Sequence, residues 1–252
     1  MSSRPIWAQK RKMSLRIDRL EVSYGRTPAV RDVSIAVGPG EIIAVVGSNG
    51  AGKSTTLLTA AGILRPRAGD IAIEGQSLLS ATPEQRVERR LALVPEGREI
   101  FHDLTVGENL LVARSRLRST DSTRRQDELL ELFPILRHRY RQFAGRLSGG
   151  EQQQLAIARA LMGEPRYLMI DEPSLGLAPM MTAKVYDLLI EMRRREGLGI
   201  LVVEQNLRRV LRAADRLYVI REGVTVGEFA RTDLANLSLI ENAYFGTPST
   251  VI

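Results

Sequence analysis

The sequence predicts an α/β fold: a largely parallel sheet covered by helices on both faces, with a phosphate-binding loop and an inserted helical region. Three observations predict it. Short aliphatic runs, clearest at 42–46 and 200–203, have the unbroken apolar character of strands buried on both faces. Helical patterns separate these runs, as βαβ crossovers require. Residues 41–56, EIIAVVGSNGAGKSTT, set a glycine-rich loop between one such strand and a helix.

In chain order, strand signals occur at 15–22, 41–46, 70–73, 92–94, 167–170, 200–203, 217–220 and 225–229. Helical periodicity is clearest at 53–63, 122–133, 151–162, 183–195 and 207–214. From 105 to 146 strand signals vanish and the chain is helical and arginine-rich, as a helical subdomain of about 105–163 would be. The basic segment 1–13 is expected to be a disordered extension, residues 14–246 the folded unit and TPSTVI at 247–252 a frayed tail. Met1 and Met13 are alternative starts.

At 252 residues the chain buries a full core, and one domain with a subdomain or two domains both fit that length. The net charge of +7 is almost wholly arginine, since lysine occurs only at Lys10, Lys12, Lys53 and Lys184. A basic balance suits nucleic acid, an anionic membrane or phosphorylated ligands alike. The arginines are dispersed, however, and runs such as 193–195 read as solvated helix faces, which argues against nucleic acid. There is no cysteine, which excludes disulfides and thiolate metal sites and suits a reducing cytoplasm. No window approaches the ~18 apolar residues of a membrane span, and the start lacks the apolar core of a secretory signal.

The loop carries G-x-x-x-x-G-K-[ST] as Gly47, Gly52, Lys53 and Ser54. Gly47, Gly50 and Gly52, with Ser48, Asn49 and Ala51 between them, let the backbone turn its N–H groups on phosphate oxygens, while the next helix points its positive end at them. Lys53 supplies a cation, Ser54 a hydroxyl for Mg²⁺ and Thr55 a further phosphate contact. A second element, YLMIDEPS, ends an apolar strand on Asp171 and Glu172, which suit the metal shell and the attacking water. A third, RLSGGEQQQLAIARAL at 146–161, puts Ser148, Gly149 and Gly150 at a helix start. One nucleotide is not easily closed on by two such helix starts of one chain, but a head-to-tail dimer does it with two nucleotides between its halves. A fourth, VEQN, aims Gln205 out of the end of an apolar strand, as a site residue or as a simple loop cap.

The order GSNGAGKS, LSGGE, LMIDE resembles that of the ATP-binding cassette ATPases of membrane transporters, from about residue 15 to 246. The resemblance implies a P-loop NTPase core with an N-terminal antiparallel β piece, ATP and Mg²⁺ as ligands, and Tyr24 stacked on adenine. It also implies that Ser148, Gly149, Gly150 and Glu151 act in trans on the nucleotide of a second ATPase subunit, self or paralogue, and that Glu96 stands where a glutamine is usual. Gln205 replaces a γ-phosphate-sensing histidine; the two histidines, His102 and His138, both lie upstream of Glu172. Ala178 replaces a usual aspartate. VPEGR, EPSLGLAP and VEQN together, with ENAYFG near the end, resemble the smaller of the two ATPases of branched-chain amino-acid importers. That implies two membrane permeases, an external solute-binding protein and a peripheral place on the cytoplasmic face of the cell membrane. Urea or short-amide importer ATPases look similar. A soluble non-transport ATPase usually carries two cassettes or a long coiled coil, and neither occurs here.

Overall fold

The computed structural model describes residues 14–113 and 119–246; the expected basic extension and C-terminal tail lie outside the described residues. Strands β1 (Leu15–Tyr24) and β2 (Thr27–Val37) form a hairpin whose turn is carried by Gly25 at φ 58°. With β4 (Ala68–Ile73) and β5 (Gln76–Ser77) they make an antiparallel layer. The other layer contains β3 (Ile42–Val46), β6 (Leu91–Val94), β7 (Tyr167–Asp171), β8 (Gly199–Glu204) and β9 (Arg216–Arg221), all parallel, with β10 (Val224–Ala230) antiparallel to β9. The order is β5-β4-β1-β2-β10-β9-β3-β8-β7-β6, the two layers meeting through the β2–β10 pair at Val224 and Asp32.

β2 is absent from the strand signals read in sequence. Its buried residues are Val30, Val33, Ile35 and Val37, and the adjacent charges Arg31 and Asp32 break the alternation that would have marked it. Pairing with β1 overrides that local irregularity, and the register shifts between Leu20 and Val22 absorb it.

The helices are α1 (Lys53–Ala60), α2 (Pro83–Glu88), α3 (Val106–Ala113), α4 (Ser119–Leu132), α5 (Pro134–His138), α6 (Gly149–Leu161), α7 (Pro179–Glu196), α8 (Leu207–Val210) and α9 (Leu237–Phe245). The helix expected at 207–214 is one turn: α8 stops at Val210, whose carbonyl takes the N–H groups of both Ala213 and Ala214. α2 is absent from the helical periodicity of the sequence, although Thr82 and Gln85 form a full capping box behind Pro83 at the first turn. Within the run at 193–195, Arg194 and Arg195 pair with Glu191 on the helix surface, whereas Arg193 reaches Asp215 at the foot of β9.

Strand β3 shows why these strands read as unbroken apolar runs. Ile42, Ala44 and Val46 join one core with α6, α7 and the helices of the 105–163 region, while Ile43 and Val45 join a second core with α1 and the antiparallel layer. A strand covered on both faces has no polar side to alternate with.

Candidate active site at the carboxyl edge of the sheet

The registers bring the ends of four strands level. Val46 lies opposite Glu204 and Val219, Asp171 opposite Val203, and Val94 opposite Ile170. The loops that follow therefore converge: 47–52 after β3, 95–99 after β6, 172–177 after β7 and 205–206 after β8.

The three glycines of the first loop are needed for different reasons. Two are demanded by crowding: a Cβ on Gly47 would sit 2.3 Å from the Ile220 carbonyl, and one on Gly52, at φ 100°, 2.6 Å from that of Ala29. Gly50 is not crowded. It is exposed at the tip of the loop, where a Cβ would meet nothing within 4 Å, and only its φ of 79° favours glycine. The expectation that all three let the backbone wrap therefore divides: Gly47 and Gly52 seat the loop against the fold, and Gly50 turns it.

Lys53 opens α1 with its side chain turned back over the loop, its Nζ donating to the carbonyls of Gly47 (2.9 Å) and Ser48 (3.0 Å) and lying 3.8 Å from Glu172 Oε1. Burial pulls the Lys53 ammonium below its usual range, and the carboxylates of Glu172, Asp171, Glu204 and Glu96, in falling order, oppose the shift. Tyr24, with its ring half exposed, brings its hydroxyl 3.4 Å from Thr55 Oγ1. An accessible aromatic face thus stands beside the cradle.

Asp171 is buried, and its Oδ1 has no hydrogen-bond partner. Burial raises its carboxyl to about 6, against the hydrogen bond from Ser54 and the charge of Lys53. An orphaned carboxylate oxygen beside a serine hydroxyl is a fitting pair of hard donors for Mg²⁺. Among the described residues no group of three or more acidic or histidine side chains could hold a metal alone, so the remaining donors would have to be phosphate and water. Glu172 takes φ 45°, unusual for a non-glycine residue, and is held there by its N–H bond to the Val203 carbonyl at 2.9 Å.

Glu96 is exposed in the turn after β6 and within electrostatic reach of Lys53 and Asp171. The next residues, Gly97, Arg98 and Glu99, all have positive φ. This backbone aims Arg98, unremarked in the sequence, at α6, where it donates to the side chains of Gln152 (3.0 Å) and Gln153 (3.3 Å). Ser148 caps α6 in a reciprocal capping box with Glu151, and a Cβ on Gly149 would meet Arg98 Nη2 at 3.4 Å. Gly150 is buried against Met181 of α7, where a Cβ would meet the Met181 methyl at 2.4 Å. Among the described residues no hydrogen bond or ion pair joins residues 148–151 to the Lys53 cluster. Of the glycine-bearing starts of α1 and α6, only that of α1, with Asp171 and Glu172, is built into the cluster.

Gln205 is exposed, and its carbonyl accepts a hydrogen bond from Tyr244 of α9 at 3.4 Å. With Glu172, Glu204 and Tyr244 it lines a cavity of about 600 Å³. Tyr244 belongs to the ENAYFG segment, but no local signal in the sequence ties it to Gln205. A cavity of about 740 Å³ at the opposite edge of the sheet contains Glu41, Arg193, Asp215 and Arg216, whose charges are paired in Glu41–Arg216 and Arg193–Asp215 bridges.

The chain is similar to known proteins over most of its length. Residues 30–175 match the ABC transporter family model. The chain is 43% identical to the high-affinity branched-chain amino acid transport ATP-binding protein BraG of Pseudomonas aeruginosa, over 92% of this chain and 99% of that protein. It is 34% identical to the lipopolysaccharide export system ATP-binding protein LptB of Haemophilus influenzae, over 92% and 97%. Among solved structures, an ATP-binding subunit of an ABC transporter superposes with a TM-score of 0.80 at 30% identity, over 93% of this chain and 99% of that one.

Proposed function

The chain belongs to the ABC transporter family as an ATP-binding, ATP-hydrolysing subunit, and from that premise we propose that it energises uptake of branched-chain amino acids through partner permeases. The observation that carries the solute class is the 43% identity to BraG across nearly the whole of both chains. VPEGR, EPSLGLAP and VEQN, present together, support it. The 34% identity to LptB favours a second reading, lipopolysaccharide export, which would need permeases of a different kind. ATP-dependent uptake of leucine, isoleucine and valine in vesicles holding this subunit and its permeases tests the assignment. Stimulation by urea alone, or none by any of these solutes, would overturn it.

In this reading residues 14–246 form the nucleotide-binding domain, about 105–163 its helical subdomain, and the subunit is peripheral on the cytoplasmic face. No described helix is long and apolar enough to cross a membrane. The N–H groups of the 47–52 loop and Lys53 bind the ATP phosphates, Thr55 adds a contact and Tyr24 stacks on adenine. Ser54 and Asp171 would hold Mg²⁺, which when bound would neutralise phosphate charge. Glu172 orients and deprotonates the attacking water; Gln205 donates a hydrogen bond to the γ-phosphate but has no proton to exchange. Ser148, Gly149, Gly150 and Glu151 serve the nucleotide of a second ATPase subunit, a copy or a paralogue, in a head-to-tail dimer. The loop at Glu96 passes dimer closure to two permeases, which receive solute from an external binding protein.

A further inference from the structure

Glu204 ends β8 with its carboxylate in the core, directly after the apolar run Ile200 to Val203. The roles assigned above leave it unused. Its Oε1 accepts from the Tyr186 hydroxyl of α7 at 2.7 Å and from the Ser174 N–H at 3.3 Å. Ser174, wholly buried, is in turn gripped from the other side of Gln205: Arg209 Nη1 donates to its carbonyl at 3.1 Å and to its Oγ at 2.9 Å. All three polar atoms of Ser174 are thus engaged by residues 204 and 209, which bracket Gln205, while Ser174 itself lies two residues beyond Glu172. A buried carboxylate without this work is a liability, because its desolvation is offset only by such bonds.

We infer that Glu204, with Tyr186, Ser174 and Arg209, is a positioning device that clamps the loop carrying Glu172 to the loop carrying Gln205 and so sets the spacing of water and γ-phosphate contacts. The inference rests on the roles proposed for those two residues. Glu204 acts through its protein partners, Tyr186 and Ser174, rather than on the reacting atoms. Three constraints on one residue leave the 172–177 turn little freedom relative to the β8 end, and a small misplacement of a reacting group costs far more rate than binding. The clamp therefore acts on turnover, leaving ATP affinity to the cradle at 47–55.

Steady-state hydrolysis and ATP affinity, measured on Tyr186→Phe, Glu204→Gln, Glu204→Ala, Gln205→Ala and the Tyr186→Phe/Gln205→Ala double variant, test it. Tyr186→Phe is expected to lower kcat by roughly 3- to 30-fold with ATP affinity within about twofold. In the Gln205→Ala background that loss should shrink to less than about half on a logarithmic scale, because the clamp then has nothing to space. Glu204→Gln, which keeps an Oε1 acceptor for both donors, should stay within about threefold of the parent while Glu204→Ala loses roughly tenfold or more. A merely structural role lowers stability without coupling to Gln205. Wild-type kcat in Tyr186→Phe, an undiminished loss in the double variant, or equal loss in Glu204→Gln and Glu204→Ala would overturn the inference. Failure of the underlying roles shows separately, as full turnover in Glu172→Gln or in Gln205→Ala alone.

Discussion

Lys53 sits where burial weakens its charge and four carboxylates oppose that only in part, an arrangement that phosphate oxygens would complete. Lys53→Ala is expected to weaken ATP binding by roughly 100-fold, since a charge-assisted contact is lost without replacement. Titration with a fluorescent ATP analogue checks it. At position 205 the expectation turns on which ligand carries the γ-phosphate. Gln205→Ala should lower turnover and leave ADP affinity nearly intact, whereas Gln205→His, which still offers a ring N–H, should preserve or raise turnover. Equal rates in all three forms would reduce Gln205 to a loop cap. Asp171 supplies a test by pH. Its carboxyl is raised to about 6 in the fold, so it binds its proton more tightly there than in the unfolded chain. Its contribution to stability is therefore fully present below about pH 4 and is lost as pH rises through about 6. In the nucleotide-free protein Asp171→Asn should be more stable than the parent at pH 8, by about 1–3 kcal/mol. That advantage should close as pH falls from about 6 to about 4 in a thermal melt series. A pH-independent difference would mean that Asp171 is not the source.

At the scale of elements, the cradle depends on how α1 is held at its far end. Arg86 of α2 is buried, and it spends its donors on carbonyls: Thr59 and Ala60 of α1 at 2.8 Å each, Leu78 at 2.7 Å and Ala81 at 3.2 Å. The cation closes the negative end of the helix whose other end carries the glycine-rich loop and Lys53. Burial lowers the Arg86 pKa from its usual value, but no carboxylate is involved. Arg86→Met should cost about 3 kcal/mol, by orphaning several buried carbonyls, and so lower the melting temperature by roughly 6–12 °C. Calorimetry of the nucleotide-free protein measures it, and a shift under about 2 °C would show that water replaces the guanidinium. None of this is visible in TPEQRVERR, where Arg86 is one arginine of several. Thr82 and Gln85 have the spacing of a capping box, but nothing there marks the partner of the arginine 26 positions upstream.

For the whole molecule the expectation concerns assembly. The cluster around Lys53 contains one glycine-bearing helix start, and α6 presents another that no bond ties to it. A second subunit whose α6 start covers the first subunit's nucleotide accounts for both. Glu172→Gln should keep ATP binding, slow hydrolysis by roughly 10² to 10⁴, and accumulate an ATP-bound dimer on sizing in the presence of the partner ATPase, self or paralogue. A monomer under saturating ATP, with every candidate partner present, would remove the head-to-tail arrangement.

By itself the sequence determined the fold class, the family and the motif-borne part of the candidate site. A loop that wraps a phosphate must be made of consecutive residues, Gly47 to Thr55, and a pair at a strand end, Asp171 and Glu172, follows directly on its apolar run. Strands covered on both faces likewise announce themselves as unbroken aliphatic stretches. Only the tertiary structure decided which glycines of that loop are crowded, Gly47 and Gly52 but not Gly50, because the crowding carbonyls come from Ile220 and Ala29 on other strands. It also decided the register of β2, the aim of Arg98 at Gln152 and Gln153, the approach of Tyr244 to Gln205, and the grip of Glu204 and Arg209 on Ser174. Apart from the β1–β2 hairpin, these side-chain contacts join residues 30 to 55 positions apart. They exist because strand order puts β8 beside β7 and brings α9 back over the sheet edge, an outcome of packing all the elements together that no local pattern contains.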